Sequence, residues 1–245
     1  MNLIKPSISD STIMRVRAGW AARMQCSPDV LRSKNKIVVP RQGSRTVIAL
    51  NLLGSVVVTC PPILEPLLLP LSSAEVMDMT VLLHILARFN PDPFGTATIS
   101  YTDSRTLASG AEISTVHSSN IEEFNEVMGG ATQSEQEECG LTEMPFRFTL
   151  QSDDGRPAAL AGYEVWNSDL AQVGVLTAAE KRGQGYGFIV SAAAASAAIN
   201  ADLIPQWRCR IDNEPSQRLG RQLGFLPLGR QLGLALTSPE QLSNT

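Results

Sequence analysis

A short, almost wholly apolar run from Ala171 to Thr177 leads through Ala178-Ala-Glu-Lys-Arg182 to three alternating glycines at 183, 185 and 187. The alanine-rich stretch Phe188–Asn200 follows, and then a β-rich stretch, Gln206–Ile211. This order leaves little freedom of topology. An apolar run this short reads as a strand buried on both faces, and a strand–helix–strand crossover of this length makes a parallel pair of right-handed connection. Upstream, Phe146–Leu150 and Ala158–Trp166 alternate as strands, joined by the turn Asp153-Asp154-Gly155-Arg156; Asn167-Ser168-Asp169 is the next turn. Downstream, Pro215–Leu223 reads as a helix with Pro near its start and Gly224 just past its end, and Leu226–Leu236 supplies a last strand. The expected class is α/β, with a mixed sheet of the α+β kind.

The first hundred residues contain helical signals at Ser11–Met24 and at Ser72–Phe89, the second opened by Ser72-Ser73-Ala74-Glu75. Between them, Thr46–Leu50 and Ser55–Thr59 read as a hairpin turning at Leu53-Gly54. Asn90-Pro91-Asp92-Pro93 ends the second helix, and Gly95–Tyr101 reads as a strand. The polar segment Thr102–Asn120 is the expected linker, dividing a domain at 1–105 from one at 115–237.

Composition narrows the functions available. The chain has 245 residues, 43% of them hydrophobic and 18% charged, which is a globular balance large enough to bury a core without disulfides. A net charge of −4 argues against general nucleic-acid binding, and three Tyr, three Trp and seven Phe argue against a base-stacking platform. Four dispersed cysteines form no CxxC pair and read as reduced, buried thiols of a cytoplasmic protein. His84 and His117 are the only histidines, and neither adjoins a cysteine, so zinc is not expected. No apolar leader opens the chain. The apolar region Val47–Leu71 is broken by Pro61, Pro62, Pro66 and Pro70, so no membrane span or membrane partner is expected.

The glycines at 183, 185 and 187 carry the chemical signal. Between a strand and a helix start they allow main-chain N–H groups to converge on an anion without Cβ obstruction, at the positive end of the helix dipole; Arg182 adds a guanidinium. A phosphate or pyrophosphate cradle is expected. The P-loop ending Gly-Lys-Ser/Thr is absent, and the third glycine of a dinucleotide fingerprint would fall at 188, where Phe188 stands. The remaining pattern, Arg182-x-x-Gly185-x-Gly187 after a buried strand, resembles the acetyl-CoA signature of the GNAT superfamily of N-acetyltransferases. Ile211-Asp-Asn213-Glu-Pro-Ser216, running on to Leu223-Gly224-Phe225, is similar to that superfamily's later motif, in the right order and one helix and one strand away. More weakly, Val165–Leu236 together with Val56–Pro62 resembles a bacterial subgroup with an N-terminal extension.

The resemblance implies a C-terminal acyl-CoA-binding fold and a smaller N-terminal α/β domain, either a degenerate repeat of that fold or an unrelated cap. It implies acetyl-CoA as co-substrate, with its pantetheine arm bonded to main chain at Val175, Leu176 and Thr177. The pyrophosphate would lie on the amides of Arg182, Gly183, Gln184, Gly185, Tyr186 and Gly187, with Asn213 and Ser216 near the pantetheine. Arg218 and Arg221 are candidates for the 3′-phosphate. The implied reaction is direct attack by an amine on the thioester, with a main-chain N–H near Val175 stabilising the oxyanion. The superfamily's usual acid, a tyrosine, would stand at position 220, where this chain has Gly220. Glu164 and Glu138 are the base candidates. Residues 110–154 hold ten acidic side chains against Arg147 alone, which favours a cationic acceptor, either a small-molecule amine or a protein lysine or N-terminus. The missing tyrosine keeps open a second reading, a silent domain that binds acyl-CoA as a sensor or scaffold.

Overall fold

The structure is a computed structural model that describes residues 7–103, 115–167 and 169–237. Part of the expected linker and Ser168 of the expected turn lie outside the described residues. Two compact units are interleaved along the chain. One gathers Met14–Ile99, Cys209–Asn213 and the described part of Pro227–Thr245; the other gathers Ser100–Arg208, Glu214–Leu226 and the described part of Met1–Ile13.

Helix α1 (Asp10–Met24) buries Val16, Trp20, Ala21 and Met24, spaced to share one face. Strands β1 (Lys36–Pro40), β2 (Thr46–Leu52) and β3 (Ser55–Cys60) follow. The β2–β3 hairpin closes Leu52 on Ser55 through Leu53 and Gly54, whose φ values of 52° and 89° are the paired left-handed conformations that match strand twist. Strand β1 runs parallel to β3.

The expected helix at 72–89 is divided. After α2 (Glu65–Leu68), Ser72 and Glu75 do bond reciprocally, Ser72 N–H to the carboxylate at 2.7 Å and Glu75 N–H to the hydroxyl at 3.2 Å. They open only a 3₁₀ turn, Glu75–Met77. Asp78 then takes an extended conformation and accepts from Thr80 and Val81 N–H, starting α3 (Met79–Ile85) afresh. The Asp78 carboxylate competes for the N–H groups that a continuous helix would have bonded. Strand β4 (Pro91–Tyr101) follows Asn90, which has φ 48°. The core of this unit includes Val47, Val58, Leu64, Leu82, Leu232 and Leu234.

The other unit holds β5 (Val116–Ser118), α4 (Ile121–Gly129), α5 (Gln133–Cys139), β6 (Phe146–Gln151), β7 (Pro157–Trp166) and β8 (Leu170–Thr177). Then come α6 (Tyr186–Asn200), β9 (Ile204–Arg210) and α7 (Glu214–Gln222). Both α4 and α5 open with capping boxes, Asn120 with Glu123 and Thr132 with Glu135. Strand order is β9-β8-β7-β6-β5, antiparallel except for β8 with β9, whose crossover is α6. Small side chains at Ala192–Ala195 and Ala198 are buried in α6 and let the helix lie close to the strands. The last strand, β10 (Leu226–Leu236), pairs antiparallel with β2, from Gly229↔Leu52 to Ala235↔Thr46.

Among the described residues no helix is long and apolar enough to cross a membrane, and no group of three His, Cys, Asp or Glu side chains is placed to hold a metal.

Candidate functional site

The parallel ladder between β8 and β9 runs from Leu170↔Ile204 to Val173↔Trp207 and stops there. Both strands continue. Gly174–Thr177 stay paired to β7, as Gly174↔Gly162, Val175↔Ala161, Leu176↔Leu160 and Thr177↔Ala159, while their other edge has no register partner in β9. The two strands therefore form a fork, and the main chain of Val175, Leu176 and Thr177 lines one arm of it.

The glycine loop stands at the open end of that arm. Gly183 and Gly185 have φ of 76° and 90°, and a Cβ on either would meet nothing within 4 Å. Gly185 begins α6 without a side-chain cap. The first helical bonds come from Phe188 and Ile189 N–H to Gly185 C=O at 3.0 and 3.2 Å, so the N–H groups of Tyr186 and Gly187 precede the helix's own ladder. Gly187 meets the strand end closely: a Cβ there would lie 2.9 Å from Thr177 Oγ1. Glycines at these positions thus serve two ends, turning the chain and bringing α6 up to β8.

Charged side chains hold the loop in place. Arg182 Nε donates to Thr177 C=O at 3.2 Å, and its Nη2 lies 2.7 Å from Glu135 Oε1 on α5. Hydrogen bonds from the Thr132 main chain and hydroxyl, and then from Arg182, hold the Glu135 carboxyl below its ordinary range. Lys181 Nζ reaches Asp154 at 2.8 Å, in the turn between β6 and β7. That hydrogen bond raises the Lys181 pKa and, with one from Ser152, depresses that of Asp154. Gln184 Nε2 donates to Glu180 C=O at 3.1 Å.

The face of the sheet toward α4 and α5 is settled by two glycines. A Cβ on Gly162 would lie 3.2 Å from Leu141, and one on Gly174 would lie 2.1 Å from the Cys139 carbonyl oxygen and 2.8 Å from Met144. Glu164 follows Gly162 by two residues, so alternation gives it that same face. Its carboxylate accepts from Trp166 Nε1 at 2.7 Å, and the Arg208 guanidinium lies 5.4 Å from the Trp166 ring centroid. Gln172, opposite Glu164 in register, joins a buried polar chain: Tyr101 hydroxyl to Gln206 Oε1 at 2.6 Å, and Gln206 Nε2 to Gln172 Oε1 at 2.6 Å. Glu138 is exposed on α5. Asn213 is half-buried just past β9, its N–H bonded to Arg210 C=O at 3.2 Å. Ser216 lies in the first turn of α7, where its C=O and hydroxyl oxygens accept from Trp207 Nε1 at 3.1 and 3.2 Å.

The family model for GNAT acetyltransferases matches residues 152–229, which include the fork, the loop and α7. This segment is a GNAT domain. Solved structures similar to the chain include a GNAT-family protein from Novosphingobium aromaticivorans, with 18% identity and a TM-score of 0.48 over 60% of this chain and 68% of that one. A GCN5-related N-acetyltransferase from Kribbella flavida has 18% identity and a TM-score of 0.46, covering 64% of this chain and 63% of its own. A GNAT-family acetyltransferase from Colwellia psychrerythraea has 15% identity and a TM-score of 0.44, with 59% of this chain and 57% of that chain covered. This chain therefore spans less than two thirds of the length of the latter two. No curated protein matches it.

Several contacts around the candidate site are not legible from the sequence. Glu135 stands in an acidic run among similar residues, and only the fold sets it against Arg182. Trp207 has a sequence signal only in hindsight, through Gly220. A Cβ on Gly220 would lie 2.9 Å from Trp207 Cδ1 and 3.1 Å from its Nε1. Gly220→Ala should therefore lower stability by about 1 kcal/mol in urea unfolding, reversing the gain that alanine normally brings inside a helix.

Proposed function

We propose that the GNAT domain binds acetyl-CoA and passes its acetyl group directly to a primary amine. Its membership of an acetyltransferase family supports acyl transfer in general. The observation that carries the finer reading is the fork: over Gly174–Thr177 β8 has no register partner in β9, and a glycine loop of positive φ stands where that edge ends, its Arg182 bonded to the Thr177 carbonyl. The residues suit an acyl-CoA. An extended amide-bearing arm can add to the edge of β8 as a strand does, through Val175, Leu176 and Thr177, and the N–H groups from Arg182 to Gly187 suit a pyrophosphate. Asn213 and Ser216 are the further binding candidates. When bound, the coenzyme supplies an acetyl group activated as a thioester.

Glu164 is the proposed base. Trp166 holds one of its oxygens, which orients the carboxylate, and a carboxylate so placed can take a proton from an arriving ammonium, alone or through water. Glu138, exposed on α5, contributes to an acidic wall that would draw a cationic acceptor. The main-chain N–H near Val175 is the proposed oxyanion donor.

Titration calorimetry with CoA and acetyl-CoA, followed by thiol release with a panel of amines, tests this reading. Binding and amine-dependent release are expected, with polyamine-like or lysine-like acceptors preferred. A clear preference for carboxylate-rich amines would reject the cationic acceptor. Gly220 favours a second reading, a domain that binds acyl-CoA as a sensor or scaffold; tight binding without turnover would select it.

The Arg182–Glu135 pair gives a further expected result. Glu135 occupies the guanidinium that a pyrophosphate would use, and both side chains are partly exposed, at 48% and 34%. Glu135→Gln keeps the capping box of α5 while removing the competing charge. CoA affinity should rise about two- to fivefold by calorimetry, the scale of a solvent-screened ion pair.

A further inference from the structure

We infer that Met144 sets the length of acyl group that the fork accepts, because Trp207 and the Gln172–Gln206 pair close the other ways out of its apex. Short groups, acetyl and at most propionyl, fit; longer chains do not. This rests on the acyl-CoA reading above.

The main chain of β8 shows where an acyl group would end. Ala178 N–H bonds to Ala158 C=O at 2.9 Å, so alternation turns the main-chain groups of Gly174 and Leu176 toward β7. Those of Val173, Val175 and Thr177 turn toward the β9 side. A thioester carbonyl held by Val175 N–H therefore has its acyl end beside Gly174. The next residue, Val173, pairs with Trp207 in the rung that closes the ladder.

The way past that rung is polar and fully committed. Gln172 and Gln206 stand opposite each other in register, both buried, and Gln206 Nε2 donates to Gln172 Oε1 at 2.6 Å. Gln172 Nε2 donates to Val173 C=O at 3.2 Å. A main-chain carbonyl can only accept, so this end fixes the orientation of both amides and makes the Tyr101 hydroxyl the donor to Gln206 Oε1. An alkyl chain driven into this row would leave buried amides unpaired, which is costly.

The two faces of the sheet differ in how firmly they are closed. On the α7 face the Trp207 indole is fixed: Phe225 backs it at 5.4 Å between centroids, and its N–H bonds to Ser216 C=O at 3.1 Å. On the opposite face, a Cβ on Gly174 would lie 2.1 Å from the Cys139 carbonyl oxygen, 2.8 Å from Met144 Cε and 3.2 Å from its Sδ. The carbonyl is main chain and cannot be trimmed. Met144 is buried, and its side chain is unbranched with an apolar end, so its reach decides the volume left beside Gly174.

The test is equilibrium binding by titration calorimetry on the full chain, with CoA, acetyl-CoA, butyryl-CoA and hexanoyl-CoA and no amine. Wild type should bind butyryl-CoA and hexanoyl-CoA at least about tenfold more weakly than acetyl-CoA. Met144→Ala should bring butyryl-CoA to within about twofold of acetyl-CoA, while affinity for CoA itself stays within about twofold of wild type. Met144→Leu, which conserves volume, should keep the wild-type preference. A general loosening of the fold would move CoA and every thioester together, so CoA separates that effect from acyl selection. Should Met144→Ala fail to fold, Met144→Val makes the same comparison, with an expected gain for butyryl-CoA of about threefold. Two results overturn the inference and leave the acyl-CoA reading standing. One is wild type that binds butyryl-CoA as tightly as acetyl-CoA; the other is a shortened residue 144 that keeps the wild-type ratio with CoA binding intact. Absence of CoA and acetyl-CoA binding in wild type overturns that reading and this inference with it.

Discussion

Replacing Gly185 with valine is expected to weaken CoA binding at least about thirtyfold, the equivalent of about 2 kcal/mol. Gly185 has φ 90° at the start of α6, a conformation that a β-branched residue occupies only with strain of about 1–3 kcal/mol. The loop has room to escape that strain, since nothing lies within 4 Å of a Cβ at this position. It would do so by moving φ to negative values, which swings the N–H groups of Tyr186 and Gly187 away from a common point. The fold should survive, so the melting temperature should change by only a few degrees, while calorimetry registers the loss of affinity. An unchanged affinity would remove the main-chain cradle from the account.

Gly174→Ala should have the opposite profile, a large loss of stability from one methyl group. Its Cβ would lie 2.1 Å from the Cys139 carbonyl oxygen and 2.8 Å from Met144 Cε. The first of these is main chain at the end of α5, where Gly140 turns with φ 66°, so relief requires the whole segment to withdraw from β8. Overpacking against a backbone that cannot yield costs about 3 kcal/mol, or roughly 6–12 °C in a chain of this size. Scanning calorimetry measures it directly, and a shift below about 1 °C would contradict the close approach of α5 to β8.

The parts of the fold that were legible in the sequence are those whose causes are local. The Leu53-Gly54 turn, the run of β6, β7 and β8, and the helix that follows the glycines all depend on residues within a few positions of one another. The reading at 72–89 failed for an instructive reason. Two sets of start signals, Ser72 with Glu75 and then Asp78, lie within one apolar period, and each formed its own short element. The start signal at Ser72 was read, and the Asp78 carboxylate that interrupts the backbone bonds was overlooked. Leu226–Leu236 was legible as a strand, but its partner was not: nothing near it in the chain indicates that it joins β2, more than 170 residues away.

By itself the sequence determined the order strand, glycine loop, helix, strand, and with it a loop whose main chain is suited to an anion. Positive φ, the absence of a Cβ and the need for small side chains against a sheet are properties of single residues and their neighbours. The tertiary structure alone decided where the β8–β9 ladder ends, which face carries Glu164, that Glu135 meets Arg182, and that Trp207 fills the space beside Gly220. Each of those depends on register between distant strands, where a slip of one residue exchanges the two faces of the sheet and leaves no trace in composition or spacing.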